Sequence, residues 1–288
     1  MDNRTEVREF LSTRRAKISP EQAGVPLYGR RRVPGLRREE VARLAGVSTD
    51  YYTRLEKGNL SGASDSVLHG IAEALRLDEA ERAHLFDLAR AARAGGREPR
   101  RRPQPSVRPS IQRILDSMTT TAAFVRNGRL DVLASNALCR ALYAPVFDDP
   151  SRAPNLARFN FLDPRSRDFY PDWEGSANTT VSILRTEAGR DPYDRALTEL
   201  VGELATRSEA FRTRWAAHDV RLHRTGVKHF HHPVVGDLDV AFDAMELPAE
   251  PGLTLTAYTA DPGTAAEEKF ALLASWAATE ERAAAVDG

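Results

Sequence analysis

LRREEVARLAGVSTDYYTRLEKG, residues 36 to 58, decides how the first third of this 288-residue chain is read. Val41, Leu44 and Ala45 share one helical stripe, and Gly46 follows where a positive φ stops the helix and turns the chain. Val47 fills the elbow. Ser48 stands where a side-chain oxygen caps the first amides of a second helix, and Asp50 puts negative charge in its first turn. Tyr52 and Leu55 carry the apolar register across Thr49 to Lys57, which leaves Thr49, Asp50, Tyr51, Thr53 and Arg54 facing outward. Two short helices around such a turn form the shape that enters a DNA major groove.

The outward residue types suit that groove. Arginine offers two donors to guanine, aspartate accepts from the cytosine amino group, and threonine donates or meets the thymine methyl. Arg54 and Thr49 are the expected base readers. Asp50 keeps two open roles, base reading and partnering the helix dipole. Tyr51 is expected to pack or touch phosphate, and Tyr52 to be core. Arg30, Arg31, Arg32, Arg37 and Arg38 form a basic collar, in which Arg37 and Arg38 lie at the amino end of the first helix and suit a phosphate. The triple arginine closes a Pro- and Gly-rich connection over 19–35. It reads as a phosphate or minor-groove contact, with a solvated charge run as the alternative. With Ser48, Thr53 and the groove-facing residues, these are the candidate DNA-binding positions. The plain alternative is an ordinary helical hairpin; cap, turn and collar together favour DNA.

Composition supports the division. Hydrophobic residues make up 41%, enough for two cored domains, and exclude collagen-like, coiled-coil and disordered classes. Basic and acidic residues balance at 41 each, yet residues 1 to 105 hold 21 against 15 and the remainder 20 against 26. The first part therefore suits a polyanion and the second does not. Met1 to Ser12 has no apolar stretch, and no later run approaches the 18 or so apolar residues of a membrane span, so the expectation is a cytoplasmic protein with no membrane partner. The single cysteine, Cys139, has no disulfide or metal partner and lies in a helical apolar pattern, where a buried inert thiol is expected.

Residues 1–93 are read as an all-α DNA-binding domain. Its first helix carries Val7, Phe10, Leu11 and Ile18 and stops at Ser19-Pro20, and a helix opened by Asp78 and Glu81 as a capping box closes it. AGGREPRRRPQPSVRP, 94–109, cannot bury surface and reads as a stiff linker. Residues 110–288 are read as an α/β domain: a short helix at Ile111 to Met118, then a hairpin in TAAFVRNGRLDVLASN turned at Asn-Gly. Helices follow near 136–143, 173–188, 193–206 and 208–218, with strands in KHFHHPVVGDLDVAFDAMEL and LTLTAYTA. A small antiparallel sheet flanked by helices leaves room for an apolar pocket between them. Candidate ligand-binding residues are Phe124, Leu142, Phe161, Phe169, Trp173, Leu184 and Trp215, with Asn136, Arg221 and Tyr258 as polar partners. Core packing is the alternative for each apolar one.

Other chemistry is weaker. His229 and His231 would share a strand face as a metal pair, near His223 and His232, but nothing nearby completes a site. Packing or hydrogen bonding is favoured, and no metal is expected. Asp237 with Asp239, and Asp148 with Asp149, read as solvated charge. There is no nucleophile elbow, Gly-rich phosphate loop or Cys-His arrangement, so neither enzyme activity, catalytic residues nor a cofactor is expected.

The 36–58 stretch resembles the helix-turn-helix of phage-repressor-like, xenobiotic-response-element bacterial regulators. In that class residues matching Arg38, Thr49, Asp50 and Arg54 lie at the groove, those matching Val41, Ala42 and Tyr52 pack the helices, and Gly46 makes the turn. The likeness continues through Val67, Leu68, Ile71 and Leu75 to Ala89, departing at Ala63, where a proline is usual. NFLDPRSRDFYPDWE (160–174), LVGELATRSEAFRTRWAAHDVR (200–221), FHHPVVGDLDV (230–240) and LTAYTADPGT (255–264) resemble the ligand-binding domain of MmyB-like transcription regulators. Together the likeness runs from Val7 to Trp276. It implies a PAS-like sensory fold around a small-molecule pocket, a fatty-acid-like molecule being one candidate ligand, and transcription regulation by a homodimer on a double-stranded DNA operator. Two alternatives stay open: a small-molecule-processing enzyme tethered to DNA, and a protein-interaction module.

Overall fold

The computed structural model describes residues 3–26, 33, 35–94, 107–149, 152–217 and 224–286. By internal contacts the chain forms two units. One comprises Met1–Arg101, Val181–Gly202 and Arg212–Leu222; the other comprises Arg102–Thr180, Glu203–Phe211 and His223–Gly288.

The first unit begins with α1 (Asn3–Lys17), whose Val7, Phe10 and Leu11 are buried, followed by α2 (Arg38–Leu44) and α3 (Thr49–Glu56). Gly46 between them takes φ +68°, as the turn demands. α4 (Asp65–Ala74) is capped by Ser64, and α5 (Glu79–Arg93) opens with the reciprocal Asp78 and Glu81 capping box. Leu36, Val41, Tyr52, Leu55, Leu68, Ile71, Leu85 and Leu88 form one core with the apolar face of α1. Leu44 leaves the stripe expected of it and is 40% exposed, because α2 ends there and Val47 takes the inward place at the elbow.

The second unit opens with α6 (Pro109–Ser117), which has proline in its first turn, and the strands β1 (Ala122–Asn127) and β2 (Val132–Ser135). The hairpin is wider than a two-residue Asn-Gly turn. Asn127 Oδ1 accepts from the amides of Arg129 and Asp131, and Leu130 takes φ +66°. Along the chain then come α7 (Ala137–Leu142), α8 (Ala144–Phe147), α9 (Leu156–Leu162), α10 (Ser166–Phe169), α11 (Trp173–Arg190), α12 (Arg195–Arg207) and α13 (Glu209–Ala216), of which the stretches Val181–Gly202 and Arg212 onward belong to the first unit. The strands β3 (Thr225–His232), β4 (Gly236–Glu246) and β5 (Leu253–Thr259) and the helix α14 (Ala265–Val286) complete the second unit. The sheet runs β2-β1-β5-β4-β3 and every neighbouring pair is antiparallel. All six residues of β1 are buried, since both of its faces are covered. Ala123 and Val125 pack with Ile111 and Leu115 of α6, while Phe124 joins Leu142, Phe169, Phe230, Phe242, Tyr258, Phe270 and Leu273 on the other side.

Candidate nucleic-acid interface and sensor core

Two local devices fix α3. Ser48 Oγ accepts from Tyr51 N–H at 3.1 Å, so this hydroxyl belongs to the helix cap. Gly58 takes φ +97° at the carboxyl end, where a Cβ would lie 2.6 Å from Arg4 O, so only glycine lets the chain pass α1 so closely. Thr49, Asp50 and Arg54 are exposed, Tyr51 and Thr53 partly so, and the Arg54 guanidinium lies 4.9 Å from the Tyr51 ring centroid. Tyr51 thus supports Arg54 at the outer surface through a cation–π contact.

A buried carboxylate that the sequence pattern does not flag sets the angle of α3. Glu56 is 1% exposed; its Oε1 accepts from Arg15 Nη2 at 2.8 Å and its Oε2 from Arg38 Nε at 2.6 Å. One glutamate therefore ties α1, α2 and α3 together. Arg38 reaches it while its side chain stays 49% exposed at the amino end of α2. Arg37 is the residue before α2, with its N–H donated to Glu40 and its guanidinium 3.3 Å from Glu39. Arg30, Arg31 and Arg32 lie outside the described residues.

In the same unit Arg185 of α11 is 1% exposed. Its guanidinium donates to Glu6 and to Trp215 O, and its Cζ lies 4.2 Å from the Trp215 ring centroid. Burial lowers its pKa and Glu6 opposes the shift, so the ion pair keeps the charge in place. A Cβ on Gly189 would lie 2.6 Å from the His84 ring, which requires glycine where α11 meets α5.

Of the candidate ligand residues, Phe124, Leu142, Phe169, Trp173 and Tyr258 lie in the sheet-side core with Phe161 packed against it, whereas Leu184 and Trp215 belong to the first unit. Arg221 lies outside the described residues. Asn136 is fully engaged: Oδ1 accepts from Ala123 and Cys139 N–H, and Nδ2 donates to Met118 O and Thr121 O. Tyr258 and Tyr143 share a buried hydroxyl contact at 2.8 Å, and burial pushes both phenols well above their ordinary range, keeping them neutral. Cys139 is buried and its thiol is pushed upward in the same way.

The histidines separate by face. His229 and His231 project from β3 to the solvent side, each meeting the aspartate opposite it on β4: Asp239 at 2.7 Å and Asp237 at 2.5 Å. Their aspartates are hydrogen-bond partners; no group of three metal-ligating side chains gathers among the described residues. His232 is buried, with Nε2 donating to Ala141 O and Nδ1 receiving Val234 N–H, and burial lowers its pKa. It is a neutral turn-former. Two surface grooves, of about 450 Å³ beside β4 and α14 and about 250 Å³ around Arg152, Arg158, Arg165 and Arg207, are lined by none of the candidate ligand residues. Among the described residues no helix is long and apolar enough to cross a membrane.

A capped helix presenting Thr49, Asp50 and Arg54 beyond a glycine turn defines the class, a DNA-binding protein of the helix-turn-helix type, and residues 12–85 match the family model of a helix-turn-helix domain. Residues 107–273 match that of the MmyB-like transcription regulator ligand binding domain, and the chain belongs to this family. No curated protein matches it. The chain joins a DNA-binding region to a ligand-binding domain, as a ligand-sensing transcription regulator does.

Proposed function

We propose that the protein binds a specific operator as a symmetric dimer, with α3 in the major groove and the second domain setting operator affinity according to a bound small molecule. The observation that carries this reading is Arg54, exposed and backed by the Tyr51 ring on a helix fixed at both ends. Arg54 and Thr49 read base edges, Thr53 and Asp50 flank them, and Arg37 and Arg38 hold phosphates. A two-fold dimer sets its recognition helices about 34 Å apart, one helical turn of DNA. The domains run 1–93 and 110–288 with 94–109 as the connector. The effector is a small molecule, a fatty-acid-like one being a candidate, and it acts only as far as its affinity differs between the DNA-competent and incompetent states. Both matched families are regulatory, which favours a sensor over an enzyme.

Selected-operator footprinting tests the reading. Arg54→Ala is expected to cost about 1 to 3 kcal/mol and relax one base position, whereas Arg37→Ala weakens all sequences alike and lowers the salt slope by about one. An unchanged footprint and affinity for Arg54→Ala would remove α3 as the reader.

A further inference from the structure

The two edges of the sheet are finished differently. β2 is closed by the chain that follows it: Val132 N–H donates to Pro154 O at 2.9 Å, Leu156 N–H donates to Leu130 O at 3.0 Å, and Asp131 bridges to Asn155. β3, at the other edge, pairs with β4 without a register break, from Thr225 opposite Asp243 to His232 opposite Gly236. The alternation of that ladder fixes which of its peptide groups look outward. Ala244 N–H donates to Arg224 O, so the even-numbered residues of β3 bond to β4. Leu247 N–H donates to Leu253 O, which turns Ala241, Asp243 and Met245 toward β5 and agrees with that assignment. The N–H and C=O of Thr225, Val227, His229 and His231 therefore point away from the sheet, and they have no partner among the described residues.

An open edge is a template for another strand, and proteins block one with a proline, a bulge or an outward lysine. β3 has none of these. Its one lysine, Lys228, turns to the core side, where Nζ donates to Ser176 Oγ at 2.9 Å. On the solvent side His229 and His231 lean back onto Asp239 and Asp237 of their own sheet, so neither reaches across the edge, and Val227 beside them is 59% exposed.

The sequence of β3 itself selects what pairs with it. Strands that meet antiparallel about a two-fold axis put residue i opposite j and j opposite i, and only the outward groups bond. An axis at Lys228 would set two ammonium side chains opposite each other at the closest spacing, about 4.5 Å between Cα atoms. An axis at Phe230 would set Val227 against Pro233, which has no N–H to give. An axis at His229 avoids both, because Val227 then faces the partner's His231 and Lys228 faces the partner's Phe230.

We propose that β3 is the dimer interface of the ligand-binding domain, joined antiparallel to β3 of a second copy of this chain about an axis at His229, so that the two sheets become one. The assignment rests on the two-fold dimer proposed above and names where its protomers meet. Backbone hydrogen bonds hold the pair, exchanged in both directions between Val227 and the partner's His231 and between the two copies of His229.

Cysteine cross-linking of the full chain tests this, with oligomeric state measured by sedimentation; the one native cysteine, Cys139, is buried. His229→Cys is expected to give a disulfide-linked dimer under mild oxidation, since opposed residues lie about 5.5 Å apart at Cα, within the span of a disulfide. Val227→Cys and His231→Cys should each fail to link alone, their copies standing about 13 Å apart along the strand, and should link to one another when co-expressed. Val227→Pro removes an outward N–H and no bond to β4, and Val227→Lys sets an ammonium at the edge without touching the backbone. Each should weaken dimerisation about tenfold or more while circular dichroism stays that of the wild type. A wild-type dimer that both Val227 variants leave intact and that His229→Cys does not link overturns the assignment and leaves the dimeric regulator standing. A wild-type chain that stays monomeric on its operator strikes the two-fold reading itself, and the assignment with it.

Discussion

The two units hold their shape with different polar chemistry. The first clamps helices with buried ions: Glu56 to Arg15 and Arg38, Arg14 to Glu81 at 2.8 Å, and Glu6 to Arg185. The second fixes its deepest turns with neutral groups, Asn136, Asn155, His232 and the Tyr143 and Tyr258 pair, and its Arg165 and Asp163 pair is 50% and 23% exposed. Around the shared apolar core of the first unit, charged side chains long enough to reach from one helix to the next join α1, α2 and α3. A sheet covered by helices already has a large apolar interface, and there amides and imidazole close turns without the desolvation cost of an ion.

Substitutions sharpen the contrast. Glu56→Ala leaves two arginines without their acceptor and is expected to cost about 3 to 5 kcal/mol, read by urea unfolding of the full chain. Asn136→Ala, which strips four backbone groups of one neutral partner, should cost about 1 to 3 kcal/mol. A larger loss for Asn136→Ala than for Glu56→Ala would reverse the comparison. Ser48→Ala removes a cap from an exposed helix start and should cost about 1 kcal/mol, with a matching loss of operator affinity only where the end of α3 frays.

The smallest effect is on pH. His232 titrates below its ordinary 6.5 in the folded chain, so between the two values the unfolded chain holds more protons. Stability should therefore fall as pH drops below about 6.5 and level off beneath the folded value. His232→Asn should flatten that part of a Tm-against-pH profile, and an unchanged profile would mean the neutral imidazole is not what closes the β3–β4 turn.

Much of the first unit was legible because its signals are local. Gly46, Ser48 and the Asp78 and Glu81 box act within four residues of themselves, and the capping and turn geometry follows from chemistry the chain carries on the spot. The same holds for β3, β4 and β5, whose alternation is local. α9 and α10 escaped the reading because they are short and lie in a stretch broken by Pro164, and α14 because its alanine-rich sequence has little apolar contrast between faces.

By itself the sequence determined most of the elements, the outward row of Thr49, Asp50 and Arg54, and the division of charge between the two parts of the chain, since each depends on spacing or on counting. Tertiary structure alone decided which polar residues are structural. Glu56, Arg185 and Asn136 look like surface or ligand-facing groups in a linear reading, and became buried joints because partners distant in the chain supplied their hydrogen bonds. It also decided that Lys228 and Asn160, 68 positions apart, converge on Ser176. Spacing cannot encode such meetings, because burial and partnership are properties of the packed chain and not of any segment within it.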